Sequence, residues 1–106
     1  MKTYDKFYIG GEWVAPSGTD TAEVINSATE EVIGQVPMGT AEDVDRAVAA
    51  ARQAFPSWSE TAVDVRAKYL RDIGAGLMAR FGEIAEVISG EVGSPKAFAE
   101  MVQAGL

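Results

Sequence analysis

Carboxylates are the most abundant reactive side chains in this 106-residue chain, with 16 Asp and Glu against 9 Lys and Arg, and neither Cys nor His occurs. Those two zeros exclude a thiol nucleophile, disulfides, Cys/His zinc sites and a Ser-His-Asp triad. Paired acids would be the remaining route to general acid–base chemistry. Glu42, Asp43 and Asp45 group behind Thr40 at the start of a predicted helix, where acids suit the positive end of the dipole and read as a capped, solvated start. Glu30-Glu31 falls in a predicted turn, and Glu83 and Glu86 on the solvent face of a helix. Glu91 stands apart, because it precedes Gly93 and the Ser94-Pro95 break. No pair of acids is set in two contrasting environments, as an acid/base couple requires. Gly10-Gly11 precedes no helix, Gly74 and Gly76 lie within one, and no phosphate-loop pattern occurs. Trp13 and Trp58 read as packing anchors rather than a ligand-stacking platform. From the residues alone no active site emerges.

The elements that would carry these residues divide into a β-rich front and a helical back. Gly10-Gly11 between Phe7-Tyr8-Ile9 and Glu12-Trp13-Val14 signals a tight hairpin. Glu23 to Asn26 and Val32 to Val36 form a second strand pair, joined by a polar turn and ended by Pro37. Thr40 predicts a helix cap, and Val44, Ala47, Val48, Ala51 and Phe55 recur at helical spacing until Pro56, where the helix is expected to stop. Thr61 repeats the capping logic ahead of a long stripe of Val63, Ala67, Leu70, Ile73, Leu77 and Phe81. Gly74 and Gly76 within it imply close packing of a neighbour, and Gly82 a left-handed cap. Ile84, Val87 and Ile88 mark a further helix reaching Gly93. Ser94-Pro95 restarts a last one, with Ala97, Phe98, Met101 and Val102 on its apolar face. The fold class expected is α+β locally: two N-terminal β-hairpins followed by about four helices.

Composition bounds the function classes. The chain is 47% hydrophobic and 24% charged, ordinary for a globular protein, with a formal charge of −7. That charge argues against nucleic-acid binding and against docking on an anionic membrane surface. No run of roughly 18 apolar residues predicts a membrane span, and Met1 to Lys6 opens no signal-peptide core, so a cytoplasmic location is expected.

The order of motifs resembles one family. Phe7-Tyr8-Ile9-Gly10-Gly11-Glu12-Trp13-Val14 is similar to the opening hairpin of aldehyde dehydrogenases. Glu23 to Asn26 and Glu31 to Pro37 resemble its second hairpin. Glu42 to Phe55 resembles its first helix, followed by Trp58-Ser59. Arg66 and Leu70 sit as in its second helix, and Glu91-Val92-Gly93-Ser94-Pro95 resembles its E-x-G-x-P element. One turn departs: the family usually reads Asn-Pro-Ala-Thr-Gly where this chain has Asn26-Ser27-Ala28-Thr29-Glu30. Without the Gly, any positive φ required at Glu30 is more costly.

The resemblance implies that residues 1–106 are the N-terminal part of the α/β aldehyde dehydrogenase fold, from the cofactor-binding domain region. The family reaction is attack of a Cys thiolate on the aldehyde carbon, hydride transfer to NAD or NADP, and hydrolysis of the thioester. Its catalytic Cys, general-base Glu and nearly all cofactor contacts lie downstream of the matched stretch. No catalytic or cofactor-binding residue is therefore expected here, and the isolated chain is expected to be inactive. The resemblance further implies a monovalent cation, Na+ or K+, held by the Ile25 carbonyl and the Glu91 carboxylate; Glu91 as a helix-end hydrogen-bond partner is the alternative. It places Val102 and Leu106 along the aldehyde tunnel, where the alternative is that both are core residues. The implied partners are the remainder of the enzyme, an aldehyde substrate and a second copy in a homo-oligomer. The competing reading is a stand-alone, non-enzymatic binding or assembly module built from the same segment.

Overall fold

The structure, a computed structural model, describes residues 1–104, the side chain of Gln103 excepted. Five short strands precede four helices: β1 (Lys2–Thr3), β2 (Phe7–Ile9), β3 (Glu12–Val14), β4 (Thr21–Ile25), β5 (Val32–Pro37), α1 (Ala41–Ser59), α2 (Val63–Ala79), α3 (Phe81–Val92) and α4 (Lys96–Phe98), and a π-helical turn follows at Ala99–Gln103. They fall into two compact units, one of Met1–Val24 and Val32–Thr61, the other of Ile25–Glu31 and the chain from Ala62 onward.

In the first unit, Gly10 and Gly11 take φ of +62° and +85°, the left-handed values that a tight hairpin turn needs. They fold β2 onto β3 with Tyr8 opposite Trp13, and those two rings lie 5.1 Å apart in a tilted pair. The second expected hairpin, β4 and β5, is joined by a strand that sequence patterning missed. β1 runs parallel to β5, with Lys2 opposite Gly34, giving the order β1–β5–β4. Gly34 permits this, since a Cβ there would lie 3.2 Å from the Lys2 carbonyl oxygen and 3.5 Å from the Val24 Cβ.

Thr40 caps α1 as expected, inside a reciprocal capping box with Asp43. The helix does not stop at Pro56; it runs on to Ser59. Proline removes one N–H near the helix end, and three hydroxyls take up carbonyls there. Ser57 Oγ donates to Ala54 O at 3.3 Å, Ser59 Oγ to Pro56 O at 2.8 Å, and Thr61 Oγ1 to Ser57 O at 3.2 Å. Thr61 is thereby turned back toward α1. The N-cap of α2 is Ala62, with no side-chain cap bond, contrary to expectation.

In the second unit, Arg80 (φ −109°, ψ 16°) ends α2 and opens α3. The expected left-handed cap at Gly82 is absent, because Gly82 lies inside α3. Gly93 supplies the left-handed cap instead, at φ +76°. A Cβ at Gly74 or Gly76 would meet nothing within 4 Å, so among the described residues no neighbour explains either glycine. Pro95, not Ser94, is the N-cap of α4, which keeps only three α-helical residues before the π turn closes with Ala104 N–H on Ala99 O at 2.8 Å.

α3 packs on the π turn, and each contributes one fully buried alanine, Ala85 and Ala99; no large side chain is fully buried among the described residues. The stripe expected to form the apolar face of the long helix stays open, with Val63 72% and Leu70 71% exposed. No described helix is long and apolar enough to cross a membrane.

Candidate functional site

Asn26 builds the turn that connects β4 to β5. Its N–H donates to Glu31 O and its carbonyl accepts from Glu30 N, each at 2.8 Å. Its Oδ1 accepts from the N–H groups of Ala28 at 2.9 Å and Thr29 at 3.2 Å. This side-chain mimicry of a backbone turn explains Asn at the position. Tight closure puts Glu30 at φ +61°, the one positive φ outside glycine among the described residues.

Ser27 joins this turn to the end of α3. Its N–H donates to Gly90 O at 3.2 Å, and its hydroxyl donates to the main-chain carbonyl of Glu91. Gly93 leaves room for the approach, since a Cβ there would sit 3.2 Å from Ser27 Cβ. Ile25 and Glu91, far apart in sequence, thus flank one hydrogen-bonded seam: Ile25 immediately before the turn, Glu91 in the last turn of α3.

The electrostatics of this seam favour a cation. The C-terminal end of a helix carries partial negative charge, and the last turn of α3 holds no basic residue. Among the described residues the Glu91 carboxylate is exposed and makes no hydrogen bond or ion pair. Carbonyl and carboxylate oxygens are the donor set for a hard cation. No described group of three or more Asp, Glu, His or Cys side chains forms a denser metal cage.

Sequence reasoning missed one carboxylate. Asp43, expected in a capped, solvated helix start, is only 4% exposed. It accepts from Thr40 N–H and Ser17 N–H, each at 3.0 Å, from Thr40 Oγ1 at 3.2 Å and from the Arg46 guanidinium at 2.5 Å. The Thr40 main-chain N–H, followed by Arg46, Ser17 and the Thr40 hydroxyl, holds its pKa far below the ordinary 3.8, against burial, which pushes it up. Arg46 also donates to Ala15 O at 3.0 Å. A carboxylate so occupied is a clamp on the 15–18 segment rather than a base. The Thr-x-x-Asp spacing was its visible signal; its burial had none.

Val102 lies in the π turn and is 36% exposed; Leu106 lies outside the described residues. A groove of about 520 Å³ between the β2–β3 hairpin and α1 is lined mainly by Tyr8, Ile9 and small residues of α1. It carries no carboxylate, amine or thiol that could serve a reaction.

The model of the family described as "Aldehyde dehydrogenase family" matches residues 13–105. A 3-succinoylsemialdehyde-pyridine dehydrogenase from a Pseudomonas species is 46% identical over 95 residues, covering 90% of this chain and 20% of its own length. The malonate-semialdehyde dehydrogenase 1 of Geobacillus kaustophilus is 47% identical, with 90% and 19% covered. Among solved structures, an aldehyde dehydrogenase of Bartonella henselae superposes with a TM-score of 0.96 at 34% identity, covering 98% of this chain and 22% of that one. Aldehyde dehydrogenase C of Pseudomonas syringae, with NAD+ and octanal, gives 0.92 at 46% identity, covering 94% and 21%. The chain spans about one fifth of the length of the relatives it matches. The family model matches nearly the whole chain and the two superposed structures follow the same backbone course, and the chain belongs to the aldehyde dehydrogenase family.

Proposed function

We propose that this chain serves as the N-terminal segment of an aldehyde dehydrogenase, as framework rather than reactive centre. The observation that carries the reading is the match over nearly the whole chain but only one fifth of each relative. The open apolar stripe of α2 is what a segment covered by further protein would present. In the whole enzyme an aldehyde is oxidised to a carboxylic acid: a Cys thiolate outside these residues attacks the carbonyl carbon, hydride passes to NAD or NADP, and water releases the acid. NAD+ in the Pseudomonas syringae structure supports the choice of cofactor class.

The same reading assigns Na+ or K+ to the Ile25 carbonyl and the Glu91 carboxylate, supported by the seam between the turn and α3. It assigns Val102 and Leu106 to the aldehyde tunnel, and it gives the whole enzyme a homo-oligomeric, cytoplasmic existence.

The test uses the purified chain. With aldehyde and NAD+ or NADP+ it forms no NAD(P)H, and turnover would overturn the reading. Size exclusion is expected to show self-association, with weak amide protection along α2. A monomeric, cooperatively folded and well-protected chain would support the stand-alone module instead.

A further inference from the structure

We infer that Asn26 is a self-modification site: the main-chain nitrogen of Ser27 attacks its side-chain amide, and the hydrogen bond from that nitrogen to Gly90 keeps the reaction in check. Asn26 is the only asparagine in the chain, and the turn residues that follow it are exposed. Attack forms a bond from Ser27 N to Asn26 Cγ. The Ser27 N–H proton leaves to solvent hydroxide, the Cγ–Nδ2 bond breaks, and Nδ2 departs as ammonia with a proton from water. Water then opens the five-membered imide at either carbonyl, which leaves aspartate or isoaspartate at position 26. The net change is one water consumed and one ammonia released, with no oxidant or reductant.

The turn acts on both reacting atoms. The oxygen that gains charge as Cγ is attacked is Asn26 Oδ1, and it already accepts the Ala28 and Thr29 N–H groups at 2.9 and 3.2 Å. Paired main-chain donors on a developing oxyanion lower the barrier to such an attack. The nucleophile is the restrained partner. Ser27 N–H donates to Gly90 O at 3.2 Å, and the Ser27 hydroxyl donates to Glu91 O. Attack requires this nitrogen to give up its proton and turn toward Cγ, which breaks the bond to Gly90. In the Asn-Pro order usual for the family at this turn, the nitrogen carries no proton and the route is closed; Ser27 supplies the N–H. Isoaspartate lengthens the main chain by one carbon inside the turn, where Asn26 N–H and carbonyl bond Glu31 O and Glu30 N. The modification therefore opens the seam that restrained it.

The experiment incubates the purified chain at mildly alkaline pH and follows position 26 by peptide mass spectrometry and isoaspartate-specific methylation, with a peptide of residues 21–32 as the unrestrained reference. The folded chain is expected to react at least about tenfold more slowly than the peptide, because reaction waits on local opening of the seam. Gly93→Ala, which loosens the seam from outside the peptide, should raise the rate in the folded chain about tenfold by raising the open population. Ser27→Ala, compared with its own peptide, should narrow the gap in the same direction, and Ser27→Pro should form no imide. Asp43→Asn, in the other compact unit, should leave the rate at the wild-type value. A folded chain that reacts as fast as the peptide overturns the restraint by Gly90. Acceleration by Asp43→Asn equal to that by Gly93→Ala assigns the reaction to global unfolding and overturns the role of the seam. A chain that stays unmodified, seam variants included, while the peptide reacts overturns the site itself.

Discussion

The main-chain N–H of Ser17 donates to the Asp43 carboxylate at 3.0 Å across 26 positions of sequence. One side chain thus closes the capping box of α1 and holds down the loop that leaves β3. The arrangement needs Asp43 ionised, since four donors converge on it.

Acid sensitivity follows from that need. With its folded pKa far below 3.8, ionised Asp43 stabilises the fold fully above about pH 4, and the contribution fades as pH falls below that value. Asp43→Asn should lower the urea midpoint at neutral pH and weaken its dependence on pH below about 4. Urea midpoints of both proteins between neutral and acid pH check this. An unchanged acid slope in the variant would remove Asp43 from the account. Thr40→Ala, which breaks the same box from the other side, should cost about 1 kcal/mol.

Glu30 holds a left-handed φ of +61° that costs a non-glycine residue roughly 1–2 kcal/mol. Glu30→Gly removes this strain while adding freedom to the unfolded chain, for a net gain of roughly 0.5–1 kcal/mol. A rise in the urea midpoint is the expected result. A fall would show that the Glu30 side chain contributes more than its backbone costs.

Gly93 is constrained twice, by φ of +76° and by Ser27 Cβ, 3.2 Å from where its own Cβ would be. Gly93→Ala should destabilise by about 2 kcal/mol or more and raise amide exchange at Ser27, whose N–H donates to Gly90 O, and in the rest of the 26–31 turn. Loss of stability without exchange at that seam would mean the strain is relieved elsewhere.

The open stripe of α2 makes a prediction of the opposite kind. Leu70 is 71% exposed, so Leu70→Lys should change the stability of the isolated chain by no more than about 0.5 kcal/mol. It should reduce self-association on size exclusion. A large loss of stability would place Leu70 in a core that the structure does not show.

Local signals were legible in the sequence. Gly10-Gly11 marked the first hairpin because two adjacent left-handed residues are a backbone requirement that few other pairs meet. Thr40 marked the start of α1 because its partner lies three residues on. Signals that depend on distant partners were not legible. β1 is two polar residues that pair with β5, more than thirty positions away. Asp43 reads as one of several surface acids until Ser17 and Arg46 close on it. The break at Arg80 interrupts a stripe whose apolar spacing continues through Phe81, so periodicity set the boundary at Gly82, two residues late. Pro56 was expected to end α1, but hydroxyls of Ser57, Ser59 and Thr61 carry the helix end past it.

By itself the sequence determined which reactive groups these 106 residues do not offer: without Cys or His they hold no thiolate or imidazole whatever their fold. Motif order likewise determined the family, because each hairpin and cap is written in neighbouring residues. Only the tertiary structure decided that Ser27 and Glu91 share a seam, that Asp43 is buried, and that α2 keeps its apolar face open. The physical reason is one of range. Caps and turns are satisfied within a few residues, whereas burial and ligand convergence depend on where distant segments meet.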